Sequence, residues 1–295
     1  MTDQITEDLL AGQQTGARYC LAAPRRAPQG TAGAQLGRLA GESMEFMDHR
    51  EYQPGDDLRR LDWAAYGRSD KMIVKLYRQE VRPHLDLVID GSRSMALPQS
   101  QKSRATWGLA AALCTAAGNA GQTHRAYLTG RGCRPIPGGT EIPAHWKHLS
   151  LDSDESPPES FQRLPPAWRP HGIRVILSDL LWLGEPRELL ATLGARAAAV
   201  YVIQILASED ISPTQHGNLR LVDSESEAVE EVYLDAAAVA RYCENIRRNR
   251  ENWRRAARQT GAVFVSLAAE EICHHWDFSP LVEAGILTVA RIPNV

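Results

Sequence analysis

The feature that most constrains the fold is a series of short strand-like segments, several of them almost continuously apolar, that alternate with helical segments. The strand candidates are residues 84–90, 124–130, 133–136, 173–179, 199–206 and 262–267. Helical patterns cover residues 102–118, 185–196 and 236–259. Continuous apolar runs are typical of strands buried on both faces, as in a parallel sheet covered by helices. The alternation predicts an α/β fold with a doubly wound, mostly parallel sheet.

Three further segments complete the predicted organisation. The strands at 124–130 and 133–136 meet at the sequence TGRG, which predicts a hairpin and one antiparallel strand at the sheet edge. The acidic, proline-rich segment 151–172 is expected to be a long surface loop with room for a short helix. Residues 1–81 have looser patterning, so we predict an N-terminal β/loop extension there and a main domain over 82–295.

Composition limits the function classes. The net charge of −3 gives no global field for nucleic acid or an anionic membrane. Glu244 and Glu251 intersperse the arginines of 241–258, so a solvated helix face is expected there, with nucleic-acid binding as the alternative. The five cysteines form no C-x-x-C pair, which favours free thiols in a reducing compartment. The longest apolar run, beginning at Ala197, is too short for a membrane-spanning helix. We expect a soluble, cytoplasmic protein without a transmembrane segment.

Polar residues follow three of the predicted strands. Asp90, Ser92 and Ser94 follow strand 84–90, Asp179 ends strand 173–179, and Thr140 lies in a glycine-rich loop after the edge strand, with Thr129 as the competing threonine. Ligands of open parallel sheets bind beyond the carboxyl ends of the strands. This oxygen-only set suits a hard divalent cation such as Mg²⁺ rather than zinc. The alternative is that these residues only cap the helices that follow.

D-x-S-x-S, a distant threonine in a Gly-Gly-Thr loop and a strand-ending aspartate resemble the metal-ion-dependent adhesion site of von Willebrand factor A domains. The resemblance implies that Ser92 and Ser94 bind Mg²⁺, or Mn²⁺ or Ca²⁺, directly. It implies that Thr140 binds directly or through water and that Asp90 and Asp179 act largely through water. A carboxylate of a partner protein would then complete the coordination.

A charge-dense block lies upstream, at residues 45–80. Pro54-Gly55 suits a turn, Asp56 or Asp57 is placed to cap a short helical turn ending at Trp63, and residues 72–77 are predicted to form a strand. The pattern R-x-Y-x-P-G-D-D-x-R-x-x-D-W closely resembles the signature of the domain of unknown function 58 (DUF58) family. The matching residues are Arg50, Tyr52, Pro54, Gly55, Asp56, Asp57, Arg59, Asp62, Trp63, Arg68, Lys75 and Glu80. Two interpretations stay open: an interlocked structural network, or a recognition surface for a partner.

The family resemblance implies a von Willebrand A-like domain and an association with MoxR-type AAA+ ATPases. We therefore expect a non-enzymatic, cation-dependent protein-binding module that serves such an ATPase. The alternative is a Mg²⁺-dependent phosphoryl-transfer enzyme that uses Asp90. Aspartyl-nucleophile phosphatases usually carry a second aspartate two residues on, where this chain has Ser92. The sequence contains neither a G-x-x-x-x-G-K-[ST] motif nor a G-x-S-x-G motif.

Overall fold

The computed structural model describes residues 2–23, 44–79, 84–98, 100–224 and 228–290. The chain divides into two compact units. The first contains Met1–Gln29 and Pro83–Val295, and the second contains Gly30–Arg82.

A six-stranded sheet forms the centre of the first unit. The strands of both units, in chain order, are β1 (Tyr19–Leu21), β2 (Met44–Glu51), β3 (Ile73–Gln79), β4 (His84–Ile89), β5 (Thr123–Leu128), β6 (Arg134–Pro135), β7 (Ile173–Ser178), β8 (Ala199–Leu206), β9 (Gly217–Val222), β10 (Val229–Leu234), β11 (Val263–Ala268) and β12 (Leu287–Val289). The order in the main sheet is β11-β8-β7-β4-β5-β6. All its pairings are parallel except that of β5 with the edge strand β6.

Helices cover both faces of this sheet. The helices of the first unit are α1 (Thr2–Gly16), α3 (Lys102–Asn119), α4 (Pro157–Arg163), α5 (Pro186–Gly194), α6 (Ser208–Ile211), α7 (Ala236–Thr260), α8 (Ala269–His275) and α9 (Ser279–Glu283), and α2 (Trp63–Ser69) belongs to the second unit. Alternate residues of each strand face opposite sides, so Leu87 joins the core beneath α3 while Val88 joins the core beneath α5 and α7. Both faces are therefore apolar, as the continuous apolar runs predicted.

The N-terminal helix belongs to the first unit. Helix α1 packs against α3, and the contact is close enough that a Cβ atom at Gly12 would overlap the carbonyl oxygen of Gly108. The nearby β1 pairs antiparallel with β12. The predicted extension over residues 1–81 is therefore not one unit, because its first residues pack with the sheet domain. The second unit contains the antiparallel pair β2–β3.

The α/β class, the six main strands, the antiparallel edge and the three long helices are confirmed, with bounds shifted by one or two residues. Helix α4 lies within the predicted loop 151–172. The sequence prediction omitted α1, the β1–β12 pair and the β9–β10 hairpin. Within the described ranges, no helix is both long enough and apolar enough to cross a membrane.

Candidate functional site

The candidate site lies at the carboxyl edge of the main sheet, where the strand order reverses. Strand β4 is central: β5 and β6 follow on one side, and β7, β8 and β11 lie on the other. Ligands of doubly wound sheets bind at this reversal. Asp90 directly follows β4, and Asp179 directly follows the neighbouring strand β7. The topology therefore brings the two predicted carboxylates to adjacent strand ends.

The Asp90 carboxylate is fully buried and held by hydrogen bonds from both neighbouring strands. The Ser178 hydroxyl donates to Asp90 Oδ2 at 2.5 Å, and the Ser92 backbone N–H donates to Asp90 Oδ1 at 3.0 Å. The Thr129 hydroxyl lies 3.5 Å from Asp90 Oδ1. Burial, and then the nearby Asp179 carboxylate, raise the pKa of Asp90 from 3.8 to about 7. The fold thus fixes this carboxylate where its charged form is unfavourable.

Two loops other than the predicted Gly-Gly-Thr loop contact the segment that follows Asp90. Thr129, at the end of β5, accepts a hydrogen bond from the Gly91 N–H at 3.0 Å, and a Cβ at Gly91 would overlap the Thr129 carbonyl oxygen. Ser153, from the predicted surface loop, donates its N–H to Gly91 O at 3.0 Å and pairs with Ser92 as in a parallel bridge. The sequence indicated Thr129 only as the competing threonine and did not single out Ser153.

Thr140 is exposed and lies in a turn after β6, away from the end of β5. Its neighbour Gly139 accepts from Ala126 N, and Glu141 O lies 3.0 Å from His124 Nε2, so this loop runs beside the first part of β5. At about 3.3 Å per residue, Ala126 is roughly 10 Å along the strand from Thr129. The structure therefore brings Thr129, and not Thr140, to Asp90.

Two hydroxyls are arranged as neighbouring ligands of a cation would be. Ser92 Oγ and Ser94 Oγ form a hydrogen bond of 3.0 Å, and Ser94 is only half-buried. Two ligands at right angles on Mg²⁺, with metal–oxygen distances of about 2.1 Å, would be separated by about 3.0 Å. The hydroxyl pair, together with Asp90, fits a small hard cation. The described residues contain no cluster of three or more histidine, cysteine, aspartate or glutamate side chains, so carboxylates alone do not form such a site.

Asp179 is engaged by a buried lysine that the sequence did not indicate. Lys102, 1% exposed at the start of α3, lies 3.2 Å from Asp179 Oδ2 and 3.0 Å from Asp210 Oδ2. Asp179 Oδ1 accepts from the Leu181 N–H at 3.2 Å, and Gln204 donates to the Asp179 carbonyl oxygen at 2.8 Å. Asp179 is therefore fixed in place, and Lys102, which it shares with Asp210, compensates part of its negative charge.

The loop after Asp179 is strained and held rigidly. Leu180 is buried and adopts a left-handed conformation with φ +57°, which costs a leucine about 1–2 kcal/mol. Asn249 of α7 donates to the Leu180 carbonyl oxygen at 3.2 Å. The Trp182 and Trp253 rings pack edge to face with centroids 5.9 Å apart. Such local strain is commonly found at functional sites.

The upstream block folds into a local network within the second unit. Arg50 donates to Asp56 Oδ1 at 2.7 Å, and the Gln53 N–H donates to Asp56 Oδ2 at 2.8 Å. Gly55 has φ +107°, which the turn requires, and Asp57 caps a short 3₁₀ helix by accepting from the Arg59 N–H at 3.0 Å. These contacts give Arg50, Asp56 and Asp57 structural roles in the turn.

Asp62 is the centre of the second half of this network. Its Oδ1 accepts from the backbone N–H groups of Ala64 and Ala65, so it caps α2, and its Oδ2 lies 2.9 Å from His49 Nε2 and 3.5 Å from Lys75 Nζ. These hydrogen bonds, with Lys75, lower the pKa of Asp62 to about 2.

Other predicted residues of the block have simpler placements. The predicted helical turn ends at Arg60 rather than Trp63, because Trp63 begins a new helix. The Tyr52 N–H donates to the Met72 carbonyl oxygen, Trp63 and Arg68 are exposed, and Glu80 lies outside the described residues.

Comparisons with known proteins agree with the signature. The model of the family described as "Protein of unknown function DUF58" matches residues 48–252. Uncharacterized protein Rv1480 of Mycobacterium tuberculosis and uncharacterized protein Mb1516 of Mycobacterium bovis are each 28% identical to this chain over 256 residues. Each alignment covers 81% of this chain and 78% of the relative.

Two solved structures are also similar. The conserved hypothetical protein BatB of Bacteroides thetaiotaomicron has a TM-score of 0.37 and 11% identity, over 68% of this chain and 98% of that one. An aerotolerance-related membrane protein of Bacteroides fragilis has a TM-score of 0.38 and 11% identity, over 69% and 96%. The family match extends over more than half of the chain, which therefore belongs to the DUF58 family of proteins of unknown function.

Proposed function

We propose that this protein is a non-enzymatic binding module of the von Willebrand factor A type, in which a divalent cation bridges the sheet edge to a partner protein. Ser92 and Ser94 would bind the cation directly. Asp90 would hold Ser92 in place by accepting from its backbone N–H, and it would contact the cation mainly through water. Mg²⁺ is the preferred cation, with Mn²⁺ or Ca²⁺ as substitutes. When bound, the cation supplies a positive centre with open coordination positions that a carboxylate of the partner can fill.

The observation that carries this proposal is the 3.0 Å separation of the two serine hydroxyls beside a fully buried carboxylate. The two hydroxyls hydrogen-bond to each other at this distance, an arrangement that helix capping does not require. Ser92 occupies the N-cap position of the short 3₁₀ helix 93–96, but its side chain makes no capping hydrogen bond there. The half-buried Ser94 gives access from solvent, so a partner group can reach a cation held there.

The proposed partner is a MoxR-type AAA+ ATPase. Support for this partner comes from the upstream signature, whose resemblance to the DUF58 family implies such an association. In that arrangement the chain would serve as an adaptor or co-factor for the ATPase in complex assembly. The exposed Trp63 and Arg68 leave the second unit available as an additional contact.

The alternative, Mg²⁺-dependent phosphoryl transfer by Asp90, has weaker support. Asp90 is 0% exposed, and both of its carboxylate oxygens already accept hydrogen bonds, from Ser178 and from the Ser92 N–H. A nucleophilic carboxylate needs an oxygen that can approach phosphorus in line. The side chain would have to leave both partners before it could react.

Calorimetric titration with MgCl₂ tests the cation site. We expect saturable binding by the wild type, strong loss in Asp90→Asn and in the Ser92→Ala/Ser94→Ala variant, and no loss in Ser100→Ala. Ser100 is a matched control because it lies in the same loop but donates to the Leu97 carbonyl oxygen. Binding of the purified MoxR-type ATPase from the same organism should then require Mg²⁺ and be abolished by EDTA.

Two results would contradict the proposal. One is Mg²⁺ binding that is absent, or that persists unchanged in Asp90→Asn. The other is ATPase binding of equal affinity in Mg²⁺ and in EDTA. Phosphatase turnover that Asp90→Asn abolishes would favour the enzymatic alternative instead.

A further inference from the structure

A buried ammonium group lies between two carboxylates at the sheet edge, and the proposed function does not use it. Lys102 Nζ is 3.2 Å from Asp179 Oδ2 and 3.0 Å from Asp210 Oδ2. The three residues come from three different places: the start of α3, the end of β7 and helix α6. Asp210 also accepts a hydrogen bond from the Ala207 N–H at 2.9 Å, which fixes its carboxylate.

Carboxylate oxygens of Asp179 and Asp210, within 3.2 Å of the ammonium nitrogen, favour the charged form of this lysine. With the lysine only 1% exposed, its charge is compensated by these two carboxylates rather than by water. The arrangement is that of a small cation between two oxygen ligands, with the cation attached to the chain.

We propose that Lys102 is a tethered cation that occupies a second cation position, between Asp179 and Asp210, and thereby keeps Asp179 out of direct metal coordination. This inference rests on the proposed cation site at Asp90, Ser92 and Ser94. Because Lys102 offsets part of the charge of Asp179, the divalent cation at that site receives less negative charge from Asp179 than it would without the lysine. The cation therefore retains enough positive charge to attract a carboxylate from a partner.

Lys102 acts here as a positioning residue, and its removal should convert its place into a second metal site. In Lys102→Met, two carboxylates face a space from which the ammonium has gone, with no cation to compensate them. A divalent cation carries enough charge to balance both carboxylates. An ion pair with only a structural role would lose stability without acquiring a response to metal.

The experiment compares thermal unfolding and Mg²⁺ stoichiometry in the wild type, in Lys102→Met and in the Lys102→Met/Asp210→Asn double variant. We expect Lys102→Met to have the lowest Tm in EDTA and to bind one more Mg²⁺ than the wild type. Its Mg²⁺-induced rise in Tm should be roughly twofold larger than that of the wild type. The double variant lacks one of the two carboxylates and should lose the additional ion.

The outcomes separate this inference from the proposed function. Equal Mg²⁺ stoichiometry and equal Tm shifts in the wild type and Lys102→Met would overturn it, even if Asp90→Asn still abolishes the first site. Failure of Lys102→Met to fold both with and without Mg²⁺ would also overturn it, because the divalent cation should replace the ammonium. If Lys102→Met bound one Mg²⁺ and the wild type bound none, Lys102 would be shown to occupy a cation position, and the proposed site at Asp90 would be refuted.

Discussion

Replacing Ser178 by alanine tests whether Asp90 is held as a charged group. The Ser178 hydroxyl is fully buried, donates to Asp90 Oδ2 at 2.5 Å and accepts from the Leu180 N–H at 3.0 Å. Ser160 is a matched control, because its buried hydroxyl donates to Gly130 O at 2.7 Å and accepts from Gly130 N at 3.1 Å. Each substitution removes two hydrogen bonds and one oxygen atom from a buried position.

The expected difference follows from the charge of the acceptor. Two neutral hydrogen bonds contribute about 1–3 kcal/mol together, so Ser160→Ala should lower the free energy of unfolding by that amount. A bond to a charged group contributes about 1.5–3 kcal/mol. Ser178→Ala should therefore cost about 1–2 kcal/mol more than Ser160→Ala, provided that Asp90 is ionised.

Urea unfolding in EDTA, at a pH of about 8.5, is the appropriate measurement, because the pKa of Asp90 is about 7 and the carboxylate is ionised there. The two variants should have the same m value and different midpoints. If Ser178→Ala and Ser160→Ala were equally destabilised, the Ser178 hydroxyl would not be holding Asp90 as a buried charge. That result would refute the idea that a charged Asp90, beside the two serine hydroxyls, forms the cation site.

Two further predictions concern the rest of the chain. A Cβ at Gly108 would overlap the Trp276 ring, so Gly108→Ala should lower the free energy of unfolding by about 1–3 kcal/mol. Gly118 has no atom near its Cβ position, so Gly118→Ala should raise the free energy of unfolding by up to about 1 kcal/mol. A urea titration that ranks the two variants in the opposite order would contradict this packing. The pKa of Asp62 is lowered to about 2, so its contribution to stability is complete above its ordinary value of 3.8 and disappears as the pH falls towards 2. Amide chemical shifts in the first turn of α2 should titrate near pH 2 in the wild type and not in Asp62→Asn, and a midpoint near 4 would show that the cap and its partners do not hold the charge.

Much of the sheet was predictable because its signals are local. A strand buried on both faces is a short apolar run, and one such run ended in Asp90 while another ended in Ser178 and Asp179. Parallel strands share a carboxyl edge, so their terminal residues converge even without knowledge of the strand order. The β1–β12 pair was not predictable in this way, since it joins two short segments at opposite ends of the chain.

The remaining site residues depend on packing that the sequence does not encode locally. The Gly-Gly-Thr sequence favoured Thr140, but the β6 hairpin carries that loop back beside the first part of β5 and leaves Thr129 at the edge. Lys102 resembles any lysine at the start of a helix until the fold places it between Asp179 and Asp210. Local patterns therefore identified the strand ends, while the charge balance between them required the structure.

The structure also bears on whether this edge serves only to stabilise the fold. Asp90 is buried with a pKa raised to about 7, so ionising it opposes folding at neutral pH. Leu180, next to Asp179, is held in a left-handed conformation that leucine disfavours. Helix capping favours neither feature, because a capping aspartate is stabilised in its charged form. These unfavourable features at adjacent strand ends, beside the Ser92 and Ser94 hydroxyls, support the proposed cation site.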